Sequence, residues 1–275
     1  MSVSLNFGLN HMAAPAMSYE ALFDLANELG ISDVEIRNDL AGQAILDGTK
    51  ASVVGAAAKS RGLKIISINA LQRFNDWSPK RADEAKALAD YAKECGALAL
   101  VMCPVNDTAW QPETPERLAK LRAALQGLMP ILADAGITGL VEPLGFVECS
   151  LRLKSEAVAA IDAVGGAARF KLVHDTFHHF VAGEREMFPL RTGLVHISGV
   201  DDAAVGADVM RDPHRVLVDG RDTIDNVGQI KALMAGGYSG AVSFEPFSDK
   251  VHQIKDIAAA LSVSMVFIMD KVQAG

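Results

Sequence analysis

The 275-residue sequence predicts a single-domain α/β protein, a closed (β/α)8 TIM barrel spanning residues 1–275. Three observations predict it. A short apolar, β-branched run followed by a helical pattern recurs eight times, and eight βα units in about 270 residues match the size of such a barrel. Half of the residues are hydrophobic and 22% are charged, enough to bury one large core. No glycine-rich phosphate loop follows the first strand, which runs into GLNHMAAPAMS, so an open doubly wound dinucleotide fold is disfavoured.

The eight strands are expected at Val3–Gly8, Asp33–Arg37, Lys64–Asn69, Ala97–Cys103, Gly139–Glu142, Lys171–Asp175, Leu194–Ser198 and Ala241–Glu245. They read as apolar on both faces, as buried parallel strands do. The clearest helix is Pro115–Ala135. Leu118, Leu121, Leu125, Leu128, Met129 and Leu132 recur at spacings of three and four and draw one stripe. Thr114 supplies its N-cap and Pro115 its first turn. Ser78–Pro79 opens another helix in the same way. Gly30, Gly62, Gly96 and Gly136 each fall at a helix end just ahead of a strand, where a C-terminal glycine belongs.

Composition narrows the function classes. A net charge of −8 and few aromatics, at 6%, give no basic footprint for nucleic acid. The longest apolar stretches, Ala97–Val105 and Ile257–Met269, fall short of the roughly 20 residues that span a bilayer. The N-terminal MSVSLNFGLNHM has no signal-peptide pattern. Cys95, Cys103 and Cys149 are too few and too scattered for a disulfide framework. The expectation is a cytoplasmic protein acting on a small molecule, with no nucleic-acid or membrane partner; a homo-oligomer is compatible with it.

In a barrel, chemistry gathers at the C-terminal ends of the strands. Strand 5 ends in Glu142, strand 6 in Asp175, strand 7 carries His196 and strand 8 ends in Glu245. Four consecutive strands thus deliver metal-ligand types at one depth. Carboxylates are costly to bury unless paired or metal-bound, and no lysine or arginine lies within these four strand ends. The expectation is one divalent metal ion, Mn²⁺, Mg²⁺, Co²⁺ or Zn²⁺, held by Glu142, Asp175, His196 and Glu245. His178, three residues after Asp175, is a candidate substrate contact. Alternation points His174 away from the axis, and His179 reads as structural. Arg215 lies in the long loop after strand 7 and could polarise a substrate oxygen. Asp212 and His214 beside it could hold a second metal, touch substrate or be solvated.

This pattern resembles the xylose isomerase-like barrel superfamily of sugar isomerases and epimerases over the whole chain. DVEIR, SINALQRFN, HDTFHHF and GYSGAVSFEPF bring it nearest to the 2-keto-myo-inositol (inosose) isomerases. The resemblance implies that Glu142, Asp175, His196 and Glu245 ligate the metal. It implies that Glu142 and Glu245 are also the catalytic pair, exchanging a proton through an enediolate. It implies that His178, Arg215 and Asn69 contact substrate. The implied activity is isomerisation or epimerisation of a polyol ketone such as 2-keto-myo-inositol. An inosose dehydratase or a ketose 3-epimerase would use the same site. The sequence departs from the pattern after Arg215, reading VLVDGRDTID in place of a Pro-Gly-x-Gly turn, and at HISGVDD. An endonuclease IV-like nuclease is a remote alternative, because residues 12 to 173 contain no histidine to supply its further metals.

Overall fold

The computed structural model describes residues 5–40, 42, 45, 47–110 and 112–274. Eight parallel strands close into a barrel in the order β1 to β8, with β1 pairing β8 across the seam. They are β1 (Asn6–Asn10), β2 (Asp33–Arg37), β3 (Lys64–Leu71), β4 (Ala99–Met102), β5 (Thr138–Val141), β6 (Phe170–Asp175), β7 (Thr192–Ile197) and β8 (Ala241–Phe244). Around them run helices α1 (Tyr19–Glu28), α2 (Ala51–Ser60), α3 (Pro79–Cys95), α4 (Thr114–Ala135), α5 (Lys154–Ala163), α6 (Thr176–Ala182) and α7 (Asn226–Ala235). The short α8 (Asp249–His252) and α9 (Ile257–Gln273) close the ring. The predicted single TIM barrel is what forms.

Local chemistry explains most boundaries. Ser78 Oγ accepts from the Arg81 amide and opens α3, with Pro79 in the first turn. Gly96 and Gly136 end α3 and α4 in the left-handed conformation, which costs a residue without Cβ little. Gly30 and Gly62 also take positive φ just beyond α1 and α2. Several boundaries shift: β3 runs on to Leu71, β7 starts at Thr192, and β5 and β8 stop one residue short of Glu142 and Glu245. The cap of α4 is Glu113, without a side-chain cap bond, and Thr114 is already helical. β1 begins at Asn6 because its ladder with β8 starts at the Asn6–Ala241 pair; Val3 and Ser4 lie outside the described residues.

Two apolar layers flank the sheet. Between strands and helices sit Leu9, Val34, Ile36, Ile68, Leu100, Val195, Ile197 and Phe244 with the helix stripes. Inside the barrel a smaller cluster, Ala99, Val101, Leu140, Val173, Leu194 and Ala241, fills the lower end. Above it the interior turns polar. The expectation that every strand is apolar on both faces fails at β2. Val34 and Ile36 join the outer layer, whereas Asp33, Glu35 and Arg37 on the alternate positions are charged and still buried. Period-two alternation places these charges toward the axis, where only partners inside the barrel can compensate them.

Candidate metal centre and active site

Glu142 follows β5, Asp175 ends β6, His196 lies on β7 and Glu245 follows β8. All four are buried, and one ligand-type atom from each falls within 4.8 Å of the others. The ladder sets this common depth: the Glu142 amide donates to Met102 O at 3.1 Å and the Glu245 amide to Ile197 O at 2.9 Å. His196 Nδ1 faces Glu142 Oε1 at 3.1 Å and Glu245 Oε2 at 3.3 Å. Glu142 and Glu245 of this group line a cavity of about 410 Å³, with Asp175 and His196 packed against them. Its walls include Arg37, Asn69, Cys103, Phe146, His178, Arg215 and Phe247.

No arginine lies within the four strand ends, but two reach the carboxylates from elsewhere in the barrel. Arg37 Nη1 donates to Glu245 Oε1 at 2.7 Å, while its Nε and Nη2 grip Asp39. Arg215 Nη2 donates to Asp175 Oδ2 at 2.6 Å and Glu245 Oε2 at 3.0 Å. Its guanidinium stacks on Phe247, 4.4 Å from the ring centre, and on Phe177 at 5.2 Å. The loop carrying Arg215 doubles back on β7. Gly199 and Val216 exchange backbone hydrogen bonds of 2.7 and 2.8 Å, and the Arg215 carbonyl accepts from Phe247 and Ser248. Asn10 Nδ2 adds a donor to Glu245 Oε1 at 3.2 Å.

The electrostatics favour positive charge at this spot. Burial by itself would raise the Glu245 carboxyl, but His196, Arg215 and Arg37 outweigh it and hold its pKa well below the ordinary value. Burial opposes a charged His196 ring, yet the carboxylates of Glu245 and Glu35 push its pKa well above the ordinary value. Burial, then Glu142, pushes the Cys103 thiol well up; it stays protonated, its Sγ 3.4 Å from Glu142 Oε2. Three carboxylates and one imidazole are a donor set suited to a hard or borderline divalent cation, so the residues present fit the metal that the sequence implies.

The other predicted residues are placed as follows. Asp175 Oδ1 caps α6 through the His178 amide at 2.9 Å, which brings the His178 ring into the cavity wall between Phe146 and Phe177. Its Nδ1 is buried with no hydrogen-bond partner among the described residues. Arg215 lines the cavity but is already engaged with Asp175 and Glu245. Asn69 lines it too, with its amide nitrogen committed to Glu35 at 2.7 Å. His174 points outward to Lys154 and Gln229, as alternation predicts, with His179 beside it. Asp212 and His214 do not converge on a second metal position. Asp212 accepts from Arg215, and His214 Nδ1 accepts from the Arg211 amide. Among the described residues the four-residue group stands as the metal-capable cluster.

Sequence reasoning missed Asn10, Glu35 and Arg37. Glu35 and Arg37 leave only an ambiguous mark, the charged residues at alternate positions of DVEIR, and Asn10 leaves none.

Comparison with known proteins bears on the whole chain. A family model described as a xylose isomerase-like TIM barrel matches residues 23–265. A xylose isomerase domain-containing protein from Salmonella typhimurium LT2 is 32% identical. The match covers 99% of both chains with a TM-score of 0.89. The IolI protein, solved with a bound zinc atom, is 21% identical with a TM-score of 0.87, covering 98% of this chain and 99% of that one. An L-ribulose 3-epimerase is 19% identical with a TM-score of 0.74, covering 98% and 96%. A comparison with curated protein sequences found no match.

Proposed function

We propose a function for this chain on the ground that it belongs to the xylose isomerase-like TIM barrel family: it is a divalent-metal-dependent isomerase or epimerase of a polyol ketone such as 2-keto-myo-inositol. The observation that carries this is the convergence of Glu142, Asp175, His196 and Glu245, donor atoms within 4.8 Å, with Glu142 and Glu245 lining one cavity. The zinc atom named for the IolI structure supports a metal in such a barrel.

When bound between these four residues, the cation would polarise the ketone oxygen and acidify the neighbouring C–H. The chain's own groups do the rest. Glu142 and Glu245 stand at different strand ends of the cavity, so one can take a proton from carbon while the other returns it. Arg37 and Asn10 hold one oxygen of Glu245, which fixes where its other oxygen stands. Arg215, carrying Asp175 and Glu245 on one nitrogen, leaves Nη1 with only a 3.4 Å contact to the loop residue Asp212, so this nitrogen can also donate to a substrate hydroxyl. His178, whose ring lies in the cavity wall, is the group placed to meet another hydroxyl. Phe146 and Phe247 give the cavity apolar surface for the C–H face of a ring.

The test is incubation with 2-keto-myo-inositol in D₂O with added Mg²⁺ or Co²⁺, read by mass spectrometry and NMR. Deuterium at carbon with a shifted ketone is the expected result. Loss of water would assign dehydration instead. The similarity to an L-ribulose 3-epimerase puts ketoses in the same panel, where inversion at C3 would assign epimerisation. No exchange with any inosose or ketose would end the proton-transfer reading. Glu142→Gln and Glu245→Gln are each expected to lower kcat about 10²–10⁴-fold; full activity in either removes that residue from the pair.

A further inference from the structure

We propose that Glu35 is the positioning residue that fixes the His196 imidazole with its proton on Nε2 and its lone pair on Nδ1, turned to the metal. The inference rests on the metal-centre reading above.

Glu35 sits on β2, fully enclosed, and is not among the residues that line the cavity. It therefore acts through another group and not on substrate. Its carboxylate is saturated with donors. Oε2 accepts from Ser67 Oγ at 2.5 Å, Asn69 Nδ2 at 2.7 Å and His196 Nε2 at 3.1 Å. Oε1 accepts from Ser243 Oγ at 2.5 Å. Three of these donors are neutral; the imidazole is the one that can carry charge. An ionised carboxylate offers only acceptors, so the nitrogen facing it has to be the N–H. Nδ1, 3.1 Å from Glu142 Oε1 and 3.3 Å from Glu245 Oε2, also faces carboxylates and carries a proton until a cation stands among the four residues. With Nε2 held by Glu35, Nδ1 is then the nitrogen that gives up its proton and turns its lone pair to the cation.

Such a carboxylate behind a metal-bound histidine sets its tautomer and ring angle and raises its basicity. Here the device is built from four strands: Glu35 from β2, Ser67 and Asn69 from β3, His196 from β7 and Ser243 from β8. Even the seat of Ser243 is reserved. Gly8 on β1 pairs with Ser243, and a Cβ on Gly8 would stand 2.9 Å from the Ser243 Cβ.

Two measurements test it. Wild-type protein labelled with ¹⁵N-histidine and loaded with Zn²⁺ is read by long-range ¹H–¹⁵N NMR, with His196 assigned by its loss in His196→Gln. The expected pattern is a proton on Nε2 and metal at Nδ1; the opposite tautomer overturns the proposal. Separately, Zn²⁺ affinity is measured by competition with a chromophoric chelator, with circular dichroism reporting the fold. Glu35→Gln is expected to raise Kd about 10–100-fold. Ser243→Ala, which removes one hydroxyl from Glu35, keeps the test open should Glu35→Gln fail to fold, and is expected to raise it several-fold. Folded variants with wild-type Kd overturn the proposal while leaving the metal centre standing. Wild-type protein that binds neither Zn²⁺ nor Mn²⁺ ends both.

Discussion

Lys154 is a charge enclosed with little to compensate it. It opens α5, is 3% exposed, and its Nζ lies 2.8 Å from His174 Nδ1. Burial pushes its pKa down to about 8, against the pull of Glu184 and Glu186. The unfolded chain keeps that proton up to about pH 10.5, so between pH 8 and 10.5 it binds more protons than the folded chain. Stability should therefore rise over that window, and the gain is lost as pH falls through about 8. The effect is on the order of 3 kcal/mol. Urea titrations at pH 7.5 and 10 should show it, and Lys154→Met should flatten it; equal slopes in both proteins would refute the assignment. The residues legible in the sequence were those that end an apolar run: Glu142, Asp175, His196 and Glu245. Glu35 and Arg37 were not legible because charged residues at every second position look like a solvated strand face. Only closure of the barrel makes that face an interior.

Elements place side chains by their ends. Asp175 finishes β6 and caps α6 in one stroke, so the position of His178 follows from a strand end and a helix start together. The loop after β5 makes a second constraint. A Cβ on Gly145 would stand 2.2 Å from His178 O and 2.7 Å from the Ala182 amide nitrogen, both backbone atoms of α6 that no rotamer change can clear. Gly145→Ala should cost about 1–3 kcal/mol. It should also raise KM for the substrate through displacement of His178, measured by denaturation and steady-state kinetics; wild-type values for both would show that α6 is free to move. Helix ends such as Gly96 and Gly136 were readable because a left-handed residue leaves a compositional mark. The path of the loop from Gly199 to Val216 left none, since its backbone pairing depends on β7 standing beside it. Arg215 was visible as a candidate, but not its ion pairs with Asp175 and Glu245.

For the whole molecule, the fold was legible from eight repeated βα units, and the net charge of −8 fits a protein whose central cavity gathers carboxylates. A ligand that binds only the folded state stabilises it. At a hundred times Kd the gain is about 2.7 kcal/mol, or roughly 5–10 °C in Tm for a chain of this size. Adding Mn²⁺ or Zn²⁺ to chelator-treated protein should raise Tm by about that much, EDTA should reverse it, and an Asp175→Asn, Glu245→Gln double variant should not respond. A double variant that still shifted would place the cation elsewhere. One feature reaches into the making of the protein. Glu245 follows the last strand, yet Asn10 and Arg37, which hold it, come from the first two. A chain growing on the ribosome presents those two partners more than two hundred residues before Glu245 emerges. Glu142, Asp175 and His196 are translated earlier but lack the seam that completes their ring. A cation held by these four residues would thus be captured only after β8 has sealed against β1. Ribosome-stalled chains ending near residue 240 should take up Zn²⁺ far more weakly than released ones, which makes loading a report that synthesis and closure have finished.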